Sequence, residues 1–233
     1  MSTSPNPSRY ARAGRRRRLL AAQCALVATA AVLVPGCSTS SNLPRVSVIG
    51  DSITALAQPD ISSELDGSFD VGFVFRISVR MDQILDLLAS DLRDNGPTMA
   101  AVINLGTNDA IAGGDSAQAL ATFDQLMKTV GPVQCVVLTT IGPFADDRGR
   151  SDVGASLNRR MDNLVAADPR RYKLVDWRRL LGSLDPESRG FVLQPDRIHE
   201  TEAGARWIAV SDKAAIDTCG TDKQPSMIRV PGP

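Results

Sequence analysis

Histidine is almost absent from this chain: among 233 residues only His199 carries an imidazole, so any imidazole chemistry must use it. The four cysteines, Cys24, Cys37, Cys135 and Cys219, form no C-x-x-C pair, which excludes a zinc ribbon. A phosphate-binding glycine loop and a dinucleotide fingerprint are both missing. G-x-S-x-G is missing too, which argues against an α/β-hydrolase. Net charge is also absent overall, with 26 basic against 26 acidic side chains. The balance is uneven along the chain. Residues 1–36 hold six arginines and no acid, and the remainder carries 20 basic against 26 acidic groups. A body of that sign has no electrostatic reason to bind nucleic acid.

The basic N-terminus reads as an export signal. Arg15 to Arg18 form a positive segment that also fits a twin-arginine pattern, and Leu19 to Val34 is an apolar run. That run is shorter than the roughly 20 residues needed to span a bilayer. It ends at Val34-Pro35-Gly36-Cys37, followed by the polar stretch Ser38 to Asn42. Small residues before a cysteine at this place resemble a lipoprotein cleavage box, and Cys37 is the expected lipidation site. Ordinary cleavage nearby or an uncleaved anchor are the alternatives. The chain thus divides into a signal peptide over 1–36, a linker over 37–44, one domain over 45–219 and an irregular tail over 220–233. Cys135 lies in an apolar run and Cys219 near the end of the last helix. A disulfide and two separate thiols both remain open.

Short apolar runs alternate with helical stripes from residue 45 onward. Strands are expected over Arg45–Ile49, Asp70–Phe75, Met99–Leu105, Val133–Thr139 and Lys173–Asp176, apolar on both faces as in a covered parallel sheet. Met81, Ile84, Leu85 and Leu88 make one helical stripe, stopped by Asn95-Gly96-Pro97. Leu120, Phe123, Met127 and Val130 make a second, opened by Asp115-Ser116. Leu157, Met161, Leu164 and Val165 make a third, stopped by Asp168-Pro169. Thr201 is placed to cap a last helix reaching about Ile216. The alternation predicts one three-layer α/β/α domain around a parallel sheet of about five strands.

Ligands of such a sheet bind beyond the carboxyl ends of its strands. Gly50-Asp51-Ser52-Ile53-Thr54 follows the first strand, Gly106-Thr107-Asn108-Asp109 follows the third, and Asp196-Arg197-Ile198-His199 precedes the last helix. Together they supply a hydroxyl, a side-chain amide, a carboxylate and an imidazole. A serine needs a base to become a nucleophile. His199 is the candidate base, and Asp196, three residues earlier, can hold its other ring N–H. Asn108 and the backbone N–H of Ser52 are candidate donors to a developing oxyanion.

These three blocks, in this order and covering nearly all of residues 45–217, resemble the SGNH hydrolase family, also called GDSL esterases and lipases. Glu202-Ala203-Gly204 after His199 extends the resemblance into the last helix. The resemblance implies a flavodoxin-like sheet and hydrolysis of ester or related acyl bonds through Ser52, with no metal and no cofactor. It also implies a third oxyanion donor, the N–H of a glycine after the second strand. That region here reads Phe75-Arg76-Ile77-Ser78-Val79-Arg80-Met81 and has no glycine. Val79 aligns with the position, with Ser78 beside it, and a β-branched residue restricts the backbone there.

The expected enzyme is an exported esterase or deacylase acting on a small-molecule, lipid or polysaccharide ester, O-acetyl groups included. It would be a monomer held at the membrane through the Cys37 lipid. An acyltransferase to a sugar or lipid hydroxyl is the alternative within the same chemistry. A non-catalytic envelope-binding lipoprotein, its site decayed at Val79, is the alternative outside it. Arg76, Arg80 and Arg197 favour an anionic substrate only if they are not simply solvated or paired. Phe144, Trp177 and Phe191 read first as packing residues, and Asp146-Asp147-Arg148 as an exposed loop.

Overall fold

Five parallel strands form one sheet in the order β2-β1-β3-β4-β5, the doubly wound order of flavodoxin-like proteins. The structure is a computed structural model that describes residues 42–143 and 151–229. The expected signal peptide, Cys37, Phe144 and residues Asp146, Asp147 and Arg148 lie outside the described residues. All described residues belong to one unit, Ser41–Pro233. The strands are β1 (Arg45–Gly50), β2 (Asp70–Phe75), β3 (Thr98–Asn104), β4 (Cys135–Thr139) and β5 (Tyr172–Val175).

Alternating side chains of β1, β3 and β4 serve two separate cores. Val48, Val102 and Val137 stand in register across the three strands, and so do Ile49, Ile103 and Leu138. The valine row joins a core with α1 (Ser52–Leu65), α6 (Trp177–Ser183), α7 (Pro186–Val192) and α8 (Glu202–Asp217). The Ile/Leu row joins a core with α2 (Leu85–Asp94), α4 (Ser116–Thr129) and α5 (Ser151–Ala167). Burial on both faces is why these strands are nearly continuous apolar runs. It also makes the fold three-layered, as expected.

The helix ends follow side-chain chemistry. Asp115 accepts from Ala117 N–H at 2.8 Å to start α4, and Thr201 accepts from Gly204 N–H at 3.3 Å to start α8. α2, α4 and α5 stop at the Asn-Gly-Pro, Gly-Pro and Asp-Pro breaks. α1 holds Pro59 in its interior. The short helices α3 (Thr107–Ala112), α6 and α7 have no long apolar stripe of their own.

Cys135 and Cys219 are joined by a disulfide with Cα atoms 5.7 Å apart, which resolves the open question in favour of the bond. It ties the start of β4 to the chain just beyond α8. Residues 221–229 have no regular structure, yet they are held in place. Lys173, fully buried, donates to the carbonyls of Pro169, Thr221 and Lys223 at 2.6, 2.7 and 2.8 Å. The Gln224 side chain accepts from Leu174 N–H and donates to Tyr172 O, covering part of the open edge of β5. Trp207 Nε1 donates to Ile228 O at 2.7 Å.

Candidate active site

β1 ends in Gly50 and runs through Asp51 straight into α1, so Ser52 is the first residue of a helix. Backbone N–H groups in a first turn have no intrahelical acceptor, so the Ser52 N–H is not used within α1. Asp51 caps the helix by accepting from Ile53 N–H at 3.0 Å. Gly50 is needed by space: a Cβ there would lie 1.8 Å from Thr54 Oγ1 and 3.0 Å from Asn104 O. At the end of β3, Gly106 takes φ +103°, and a Cβ there would press on Ile141 at 2.9 Å. This left-handed turn starts α3 and delivers Asn108 to the same edge.

The third segment is the loop from Leu193 to Glu200. It is closed by Gln194 N–H donating to His199 O at 2.8 Å and by Thr201 N–H donating to Val192 O at 3.0 Å. Arg197 adopts φ +59°, giving the tight turn that folds His199 back over Asp196. Asp196 Oδ1 accepts from the N–H groups of Ile198 and His199, and its Oδ2 lies 2.7 Å from His199 Nδ1. His199 Nε2 lies 2.9 Å from Ser52 Oγ. The structure therefore brings together Ser52, His199 and Asp196, drawn from segments nearly 150 residues apart.

These contacts assign the proton positions. With Nδ1–H donated to Asp196, Nε2 is left to accept from the Ser52 hydroxyl. Partial burial pulls the Asp196 pKa up, but the donated hydrogen bonds from the His199 ring, Ile198 and His199 outweigh it, and the net shift is downward. Asp196 stays ionised as the orienting anion. Asp51 behaves differently. Burial raises it to about 6, opposed by Ile53 N–H, His199 and Asn108 and reinforced by the charge of Asp109.

Asn108 is at the site, but its amide is engaged. Nδ2 donates to Asp51 Oδ2 at 2.9 Å and to Val79 O at 3.1 Å. Val79 is buried and lies beside Asn108, yet it presents its carbonyl there. Its N–H turns back to Arg76 O at 3.4 Å. Ser78, before it, sits at φ +60°, in the left-handed region where a glycine is ordinarily found. In this structure the Val79 carbonyl faces the Asn108 amide, while the Val79 N–H is engaged with Arg76 O. Asp109 holds this segment by accepting from Met81 N–H at 3.2 Å.

Arg80 pairs with Asp82 at 3.4 Å at the surface, and Arg76 is exposed. Trp177 is buried against Trp207, ring centroids 5.2 Å apart, and Phe191 packs on the same core. Both are packing residues. Sequence reasoning left two acids without a role. Asp51 was legible as part of a block but not as the partner of Asn108. Glu200, 2% exposed beside His199, carried no signal beyond its adjacency. Among the described residues, no cluster of His, Cys, Asp or Glu is grouped to hold a metal ion.

No known family profile and no curated protein sequence matches the chain. Solved structures do match its fold. The catalytic domain of a peptidoglycan O-acetyltransferase A from Streptococcus pneumoniae is 16% identical, with TM-score 0.58, over 76% of this chain and 94% of that one. A lipolytic protein of the G-D-S-L family from Veillonella parvula is 18% identical, with TM-score 0.59, over 71% and 94%. An acetyl xylan esterase from Geobacillus stearothermophilus is 16% identical, with TM-score 0.56, over 76% and 95%. The chain shares the fold of these solved structures, a lipolytic protein of the G-D-S-L family among them.

Proposed function

We propose that the protein is a serine esterase or deacylase that cleaves carboxylic esters through an acyl-enzyme on Ser52. The observation that carries this reading is the continuous chain from Ser52 Oγ through His199 to Asp196, at 2.9 and 2.7 Å. Ser52 Oγ attacks the acyl carbonyl while His199 Nε2 takes its proton. The tetrahedral intermediate collapses as His199 returns that proton to the leaving alcohol. Water, activated by the same imidazole, then releases the acid. Ser52 N–H and Asn108 Nδ2 stabilise the oxyanion, Asn108 by exchanging its contact with Val79 O for the developing charge. Val79 contributes its own N–H only if its peptide rotates.

Ser52 and His199 are half-buried and Asp196 is exposed, so the site is open enough for a bulky alcohol. The names of two fold neighbours, an acetyl xylan esterase and a peptidoglycan O-acetyltransferase, support an O-acetylated polysaccharide as substrate. The disulfide, with the export signal and Cys37 lipidation site expected from the sequence, supports work outside the cytoplasm. Among the described residues no helix is long and apolar enough to cross a membrane. Transfer of the acyl group to a sugar hydroxyl is the second reading, favoured by the transferase neighbour. Incubation with O-acetylated glycans, with and without acceptor sugars, tests both. Free acetate alone indicates the hydrolase and acetylated acceptor the transferase. Tight glycan binding with neither product supports the envelope-binding alternative and overturns this reading.

A further inference from the structure

Glu200 directly follows His199, and its side chain goes the opposite way, into the protein. The residue is 2% exposed, and among the described residues neither carboxylate oxygen has a well-formed hydrogen-bond partner. A buried ion with no partner is expensive, and such a group holds its proton instead. The acids facing it are Asp51 at the head of α1 and Asp196 on its own loop, and both raise the cost of a further negative charge. The arginines on the two flanking helices have other partners. On α8, Arg206 pairs with Glu202 and leans toward Asp60 of α1. On α7, Arg189 donates to the carbonyls of Leu181 and Leu184.

The same residue anchors the loop that carries the imidazole. Glu200 bridges Leu193, and its carbonyl accepts from Gln194 Nε2 at 2.9 Å. The first turn of α8 packs directly against it, since a Cβ on Gly204 would lie 2.8 Å from Glu200 Cβ.

We propose that Glu200 is a positioning residue for His199, acting as a neutral carboxyl that seats the Leu193–Glu200 loop, and that its ionisation unseats the loop and ends activity on the alkaline side. Burial raises the Glu200 pKa to about 8 against the pull of its own backbone N–H, with the charges of Asp51 and Asp196 adding to the rise, so the transition falls within reach of experiment. The effect on rate rests on the proposed Ser52 chemistry, whereas the effect on His199 does not.

Two readouts on the full chain separate these. The first is the pH profile of kcat/KM on a p-nitrophenyl ester for wild type and Glu200→Gln, which keeps the shape and removes the titration. The wild-type rate should fall about tenfold for each pH unit above the Glu200 transition. The Gln variant should lose less than twofold over the same range, with the acid side of the profile unchanged. The second uses the single histidine, whose ring signals in nuclear magnetic resonance are assigned without ambiguity. A wild-type inflection near the Glu200 transition, lost in Glu200→Gln, is expected. If no ester is turned over, the Ser52 reading fails, yet this inflection still supports the role of Glu200. The same alkaline limb or inflection in both proteins overturns the proposal. Should Glu200→Gln not fold, the Glu200 carboxyl carbon is followed in wild type. Titration near pH 8 supports the proposal, and titration in the ordinary carboxylate range overturns it.

Discussion

Asp212 makes the stability of this protein depend on pH in a direction opposite to that of a salt-bridged carboxylate. It lies within α8 with its side chain in the core, 1% exposed, and Oδ1 has no hydrogen-bond partner among the described residues. Burial raises its pKa from 3.8 to about 8. Unfolding returns the group to water. Between the unfolded and folded values the native chain holds a proton that the unfolded chain has released. Stability therefore falls as pH rises through that window, by about 1.4 kcal/mol per pH unit. Below the window both states are neutral and nothing is lost; above it both are ionised and the loss is complete. From about pH 5 to about pH 7.5 the loss is about 3.4 kcal/mol. Asp212→Asn keeps the shape and does not titrate. Urea unfolding of both proteins at several pH values, with the disulfide intact, gives the difference directly. Glu200 is present in both and cancels. The stability of the Asn variant relative to wild type should rise by about 3 kcal/mol across that interval. A difference of the same size at every pH refutes the reasoning.

Three further outcomes follow from the same geometry. Reduction of Cys135–Cys219, which are 84 residues apart, should lower unfolding stability by about 4 kcal/mol, seen as a lower denaturation midpoint with reductant; an unchanged midpoint contradicts a structural bond. Lys173→Met leaves three carbonyls without their ammonium and should cost about 1–3 kcal/mol. It should also release residues 221–229 to proteolysis, and an equally protected tail contradicts the clasp. Asn108→Ala should lower kcat about 100-fold or more with little change in KM. A loss confined to KM would assign Asn108 to ground-state binding instead.

Much of the fold is legible because the strands are apolar on both faces and the main helices have clear stops. α1 was carried by alternation alone: Pro59 in its interior reads as a breaker, yet the helix continues on the strength of Ile53, Ala57, Ile61 and Leu65 packed on the sheet. α6 and α7 are each seven residues long, too short for a periodic stripe. Ser52, Asn108, Asp196 and His199 stand out because turn residues and chemistry coincide at strand ends. The Val79 carbonyl does not, because peptide orientation depends on the left-handed Ser78 and not on residue type. Glu200 and Asp212 are equally hidden, since acids in sequence read as surface. The Cys135–Cys219 bond needed the spatial meeting of β4 with the end of α8.

The central claim is that His199 activates Ser52. Treatment with a fluorophosphonate probe, followed by intact mass on wild type and Ser52→Ala, tests it most directly. One adduct is expected on wild type and none on the variant. An unmodified wild type that is fully folded, or equal labelling of both proteins, would contradict it.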